Sequence, residues 1–195
     1  YKVIIFTSTN NDVFDTDIQR LAFRHYIEAG GGFVGVHSVT GTERKWDWFK
    51  MMVGETFTWH AKFQPFSVIN IDPAHPSMKG VPTKWTKEDE CYFGAELYPG
   101  IKTLLMHDVS TLDQAQKDLI TKHKGIYGYY FPAAWTQHFQ GGHIWVTTLG
   151  HAKENYQEPV YLNHLWQGIN YIAGQVKAID YSKATSQGRD EGLRF

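Results

Sequence analysis

A chain of 195 residues, 42% of them hydrophobic and with a formal net charge of -1, is long enough to bury an ordinary core, and one globular domain is the first expectation. Lysine and arginine are spread along the chain rather than clustered to neutralise phosphates, so nucleic acid is not an expected partner. No apolar run approaches the roughly 20 residues of a membrane helix; the lone Cys91 excludes an internal disulfide framework and a multi-cysteine zinc site, and leaves the compartment open between cytoplasmic and periplasmic or secreted.

In chain order, Lys2 to Ser8 is a β-branched apolar run that reads as a strand buried on both faces. Thr16-Asp17-Ile18-Gln19 has the form of a capping box, and Ile18, Leu21, Ala22, Tyr26 and Ala29 recur at helical spacing up to Gly30. Gly32 to His37 is the next strand, so the first third of the chain predicts a βαβ unit and an α/β fold. Arg44 to Val53 predicts a short helix closed by Gly54, Pro65 to Asp72 a strand, and Asp72 to Trp85 a loop. Ile101 to Met106, Tyr127 to Phe131 and His143 to Leu149 are further strand candidates. Leu162, Leu165, Trp166, Ile169 and Ile172 make a stripe on a helix from Glu158 to Ala173 that covers the sheet and stops at Gly174. The domain spans 1–179, and periodicity is lost in a tail or linker over 180–195.

Ligands in open α/β sheets bind beyond the carboxyl ends of strands. Two histidines stand there: His37 at a sharp strand-to-helix turn, and His151 after HIWVTTLG, with Glu154 and Tyr156 beyond. Each could instead be a hydrogen-bonded structural residue, but a pair at strand ends points to acid–base chemistry. In Glu88-Asp89-Glu90 the ordinary reading is a solvated charge run; for Glu90, beside Cys91 and Tyr92, an apolar setting that makes it a general acid or base is the competing one. His60 lies among aromatic residues, and His37, His60, His151 and Glu90 are the candidate ligands should a divalent metal bind, although their spacing matches no tight zinc pattern. His75 and His138 read as loop residues. Seven tryptophans within 15% aromatic content suit the apolar face of a sugar ring. Trp59 and Trp135 are the candidate stacking wall, and Trp46, Trp48 and Trp145 are packing.

The blocks GGGFVGVHS (30–38), WHAKFQP (59–65), DPAHPSMKGVPTKW (72–85), DECY (89–92), PAAW (132–135) and GGHIWVTTLGHAKENYQEP (141–159), in this order, resemble the ThuA-like, trehalose-utilisation family of the class I glutamine amidotransferase-like superfamily. The resemblance implies a flavodoxin-like fold: a mostly parallel sheet flanked by helices. It also implies that His37 occupies the elbow where amidotransferases carry a nucleophilic cysteine, and that His151 and Glu154 fall near that superfamily's histidine and glutamate. Without a thiol at the elbow, cysteine-dependent glutamine hydrolysis is not expected. What it implies of function is an enzyme acting on a small carbohydrate, a sugar or keto-sugar, by isomerase, lyase or glycoside-hydrolase chemistry: His151 or Glu90 as base, His37 polarising the carbonyl or enediolate oxygen, and Trp135 and Tyr156 holding the ring, with Trp59, His60, Tyr92 and Glu154 also in contact with substrate. The alternatives are a carbohydrate-binding accessory module and a metal-dependent hydrolase. No cofactor is required by the sequence. Family members also carry an earlier strand-helix-strand segment, so the resemblance implies a longer parent chain with further domains, or an oligomer, completing the sheet.

Overall fold

The computed structural model of the protein describes residues 1–120, 122 and 128–192. The elements that build the sheet are β1 (Val3–Thr7), α1 (Asp17–Glu28), β2 (Gly32–Val36), α2 (Asp47–Val53), β3 (Thr56–His60), β4 (Gln64–Asn70), β5 (Lys84–Asp89), β6 (Tyr92–Ala95), β7 (Lys102–Asp108), α3 (Gln114–Ile120), β8 (Tyr130–Phe139), β9 (Gly142–Thr147) and α4 (Pro159–Gln175). Seven strands form one sheet in the order β1-β2-β9-β8-β7-β4-β5, and β3 pairs with β6 in a separate ribbon.

The sheet is mixed α/β rather than the mostly parallel, flavodoxin-like one expected. Only the β1–β2 and β2–β9 pairs are parallel; β9–β8, β8–β7, β7–β4 and β4–β5 are antiparallel. The reason is in the connections. A parallel return needs a crossover of a dozen or more residues, which the first third supplies through α1, whereas β8 and β9 are joined by Gln140 and Gly141 alone. Both have positive φ, 45° and 99°, the tight hairpin geometry whose twist matches the flanking strands. β8 also runs well past the expected strand at Tyr127 to Phe131, of which Tyr127 lies outside the described residues; in its polar stretch the Gln137 amide donates to the carbonyls of Met51 and Met52 at 2.9 and 2.6 Å.

Strand alternation sends side chains to two cores. Phe33, Ile144 and Val146 face α1 and α2, where Phe23, Ile27, Trp46, Trp48, Phe49 and Met52 form an aromatic-rich layer. Val34, Val36 and Trp145 face α4. The capping box of α1 is present at Thr16 and Gln19. Two helix stripes differ from expectation. Of the expected α1 stripe Tyr26 and Ala29 are buried, but Ile18 is 81% exposed and Ala22 is exposed, because α1 turns Phe23 and Ile27 inward instead. In α4 the buried line is Tyr161, His164, Gly168 and Ile172, while Leu162 and Trp166 point outward, and the helix continues through Gly174 to Gln175. Gly168 fixes that choice: a Cβ there would sit 2.6 Å from the Trp145 ring, so its bare backbone is what lets α4 lie on β9.

Residues 180–192 lie along α1. Arg24 donates to the carbonyls of Gly188 and Arg189 at 3.2 and 2.8 Å, and Trp46 donates to Arg189 at 3.1 Å. No helix among the described residues is long and apolar enough to cross a membrane.

Candidate active site

The parallel pairing of β2 with β9 puts Val36 beside Thr147, so the residues that follow each strand emerge at the same end of the sheet. His37 follows β2 at φ 56°, a left-handed conformation that costs a non-glycine residue on the order of 1–3 kcal/mol and throws its ring out at the sheet end. A short 3-10 turn, His37–Gly41, follows this elbow. After β9 the chain turns at Gly150, φ 110°, and presents His151. A Cβ at Gly150 would collide with the Tyr161 hydroxyl, which itself donates to the Leu149 carbonyl at 2.9 Å.

The third contributor comes from the far edge. β8, β7 and β4 stand between β9 and β5, yet the end of β5 meets the turn after β9, so the sheet curls. Asp89, fully buried, accepts the N–H groups of Gly150 at 2.7 Å, His151 at 3.0 Å and Glu90 at 2.9 Å. Lys87, also fully buried, is 3.4 Å from Asp89 and 3.0 Å from Glu158, over the ring of Tyr161. This clamp brings Glu90 to His151: Glu90 Oε2 lies 3.0 Å from His151 Nδ1 and 3.8 Å from His37 Nε2, and Oε1 lies 3.5 Å from His60 Nδ1. His37 Nε2 and His151 Nδ1 are 3.3 Å apart.

The two imidazoles more than a hundred positions apart in sequence thus converge on one carboxylate. His37 is buried, Glu90 nearly so, and the His151 side chain is 46% exposed, so the cluster opens to solvent on the His151 side. Burial holds the His37 pKa below its ordinary range, which keeps the ring neutral. Its Nδ1–H donates to the Thr148 carbonyl at 3.2 Å, leaving Nε2 as an acceptor, and the Tyr92 hydroxyl donates to that atom at 3.1 Å. Burial, with Glu90 and Asp89 nearby, pushes the Tyr92 phenol up, so it stays a proton donor. The expected role of His37, polarising a carbonyl oxygen by donating from its ring, does not fit this tautomer: Nε2 carries a lone pair, which accepts from Tyr92.

The β3–β6 ribbon closes one wall. His60 pairs with Tyr92 in register and their rings stack at 5.6 Å, while Trp59 pairs with Phe93 and stacks on it at 5.4 Å. Alternation therefore puts Trp59 on the opposite face of the ribbon from His60, packed against the core and not in the site. Trp135 is likewise no stacking wall: it is fully buried and donates to the Val53 carbonyl at 2.8 Å. Glu154 does not join the cluster; its side chain is 66% exposed, with Lys153 3.8 Å away. Tyr156 donates to the Gly150 carbonyl at 3.2 Å. The rings that do flank the cluster are Phe57, 4.6 Å from Tyr92, and Phe63, 5.9 Å from His151 and 40% exposed. Sequence reasoning missed both, along with Asp89 and Lys87. His75 is buried rather than a free loop residue, capping a 3-10 turn through Ser77, and His138 lies in β8. Cys91 is buried, and burial drives its thiol well above the ordinary range, so it cannot stand in for the absent elbow thiol.

A mixed α/β sheet with a histidine at a strained strand-end elbow defines the class of this protein. The trehalose-utilisation family model, ThuA, matches residues 1–172, and the chain belongs to that family. Among solved structures it is similar to a ThuA-like protein of Bacteroides uniformis (23% identity, TM-score 0.72, over 93% of this chain and 73% of the other). It is also similar to a ThuA-like protein of Parabacteroides merdae (19%, TM-score 0.68, 91% and 72%). A β-galactosidase of Rahnella sp. R3 shares the fold at 12% identity and TM-score 0.55, over 88% of this chain and 23% of that one. No curated protein matches the chain in sequence.

Proposed function

We propose that this protein is an enzyme acting on a carbohydrate that bears a carbonyl group, and that it moves a proton at the carbon beside that carbonyl. Family membership supports the substrate class, since trehalose utilisation is carbohydrate metabolism. The observation that carries the chemistry is Glu90 held between imidazoles, His151 at 3.0 Å on one oxygen and His60 at 3.5 Å on the other, at an open strand end. Glu90 with these two rings takes the proton from a hydroxyl-bearing carbon beside the carbonyl; the C–H electron pair becomes the enediolate double bond and the carbonyl pair moves to oxygen; return of the proton to the former carbonyl carbon, with the hydroxyl proton passing from the one oxygen to the other as the new carbonyl forms, completes an isomerisation. Phe63 and Phe57 offer apolar faces for the ring.

The test is exchange of solvent deuterium into a 3-keto-glucoside, followed with its turnover, for the wild type, Glu90→Gln and His151→Ala. Loss of both readouts in both variants is the expected result. Full activity in both would end the proposal, and sugar binding without exchange in the wild type would favour an accessory binding module instead.

A further inference from the structure

Enediolate formation calls for an electrophile at the carbonyl oxygen, and His37 Nε2, an acceptor, does not supply one. Three ligand atoms instead surround a single point: His37 Nε2, His151 Nδ1 and Glu90 Oε2, all within 4.8 Å of one another. Their separations are 3.3, 3.0 and 3.8 Å. Four ligands set tetrahedrally about 2.1 Å from a zinc-like ion stand about 3.4 Å apart, and the mean edge of this triangle has that value.

We propose that His37, His151 and Glu90 bind one divalent transition-metal ion, with the fourth position open towards solvent. Two independent features support it. A metal-bound imidazole characteristically donates its other N–H to a carbonyl or carboxylate, which fixes the ring and its tautomer. His37 does so, its Nδ1–H on the Thr148 carbonyl while Nε2 lies at a corner of the triangle, where an ion would take the lone pair that now accepts from the Tyr92 hydroxyl. The position is also rigid before any ion arrives, because the elbow is locked by β2, paired on both sides, and Gly150 and His151 are clamped by Asp89. Two imidazoles and one carboxylate suit zinc, manganese, iron or cobalt better than calcium or magnesium, which prefer all-oxygen shells. His60, on the other oxygen of Glu90, stands outside the triangle as a partner of the carboxylate rather than a fourth ligand.

The inference rests on the reading of this cluster as a catalytic one and deepens it: the ion would hold the carbonyl oxygen, and Glu90 Oε1 with His60 would keep the proton. Its own test needs no substrate. Protein stripped with chelator is titrated with Zn2+ by calorimetry and with Co2+ by visible absorption. The expected result is one ion per chain at micromolar affinity or tighter, with the d–d bands of a low-coordinate cobalt site. Glu90→Gln and His37→Gly should each weaken binding by at least about 100-fold, more than loss of an outer partner costs. The first keeps the side-chain shape and the second relieves the elbow strain, so both should keep the wild-type circular dichroism. Replacing His138 and His143 together, the imidazole pair at the other end of β9 with rings 5.1 Å apart, should leave the affinity unchanged. No binding at millimolar Zn2+, or binding lost with that pair and kept in Glu90→Gln, would overturn the proposal. Turnover by protein shown to be free of metal would discard the ion and keep the enzyme; tight binding without turnover of any keto-sugar would do the reverse.

Discussion

Two pairs of histidines in this molecule meet opposite fates. His37 and His151 lie at strand ends with a carboxylate between them, and His151 reaches solvent. His107 and His164 lie in the interior, each bonded through Nε2 to a threonine hydroxyl, Thr148 at 3.2 Å and Thr147 at 3.1 Å. Phe66 stands edge-on to His107 at 5.2 Å and Trp145 lies 4.8 Å from His164. Burial alone pushes both interior rings down to about 3, so they are neutral packing groups. Thr148 touches both worlds, its hydroxyl on His107 and its carbonyl on His37. The residue type therefore says little; a nearby anion and a path to water decide whether an imidazole can do chemistry.

The sharpest way to break this comparison is one substitution in each pair. His151→Ala should lower turnover by about 10²–10⁴-fold while leaving the melting temperature nearly unchanged. His164→Ala should leave turnover per folded molecule unchanged and cost about 2–4 kcal/mol in urea denaturation, through the cavity it opens beneath Trp145. The reverse pattern would mean that the interior pair was misjudged.

The carboxylates repeat the contrast, and pH separates them. Glu55 is fully buried, and burial alone pushes it up to about 8 from an ordinary 4.5. A carboxyl raised on folding holds an extra proton in the native state, so its contribution is lost as pH rises from about 4.5 to 8, a total of about 5 kcal/mol. The interior histidines act with the opposite sign: depressed to about 3, they favour the native state above their ordinary 6.5 and lose that contribution as pH falls towards 3. Melting temperature should therefore peak near pH 6–7. Glu55→Gln should abolish the fall on the alkaline side and leave the acid limb in place. A wild-type profile that stays flat from pH 6 to 9 would show that Glu55 is not held in this way.

Much of this architecture was legible from the chain itself. An apolar strand running straight into a histidine, twice, placed His37 and His151, and the capping box at Thr16 and Gln19 and the glycine stop at Gly54 located helix ends. What the sequence hid was set by three-dimensional closeness. Asp89 reads as one of three acids in a row, because its partners Gly150 and His151 come from a turn more than sixty positions away, reached only when the sheet curls. Trp59 and Trp135 look like neighbours of polar site residues, but the face a strand residue takes depends on register. A bulge between Phe57 and Trp59 and the hidden length of β8 decided both. Antiparallel pairing was obscured because the turn at Gln140 and Gly141 puts a positive φ on a glutamine, with no Asn-Gly signal to mark it.

The smaller predictions concern what holds the strand-end pair in place. Asp89→Asn keeps the shape, removes one of the two carboxylates beside Lys87 and turns an amide NH2 towards a backbone N–H that the carboxylate had accepted, and should cost about 2–4 kcal/mol. Turnover should also fall by less than in His151→Ala, since every catalytic group remains. Tyr156→Phe removes one hydrogen bond, the 3.2 Å link to the Gly150 carbonyl, and leaves the ring against Tyr161 at 5.5 Å. A single partly buried bond of this kind contributes about 0.5–1.5 kcal/mol, so the denaturation midpoint should shift slightly. If Tyr156 only supports the turn, keto-sugar affinity and turnover should drop together and modestly, as the His151 ring loses definition. A large rise in KM with kcat intact would instead make Tyr156 a direct substrate contact, the ring-holding role that the family resemblance implies.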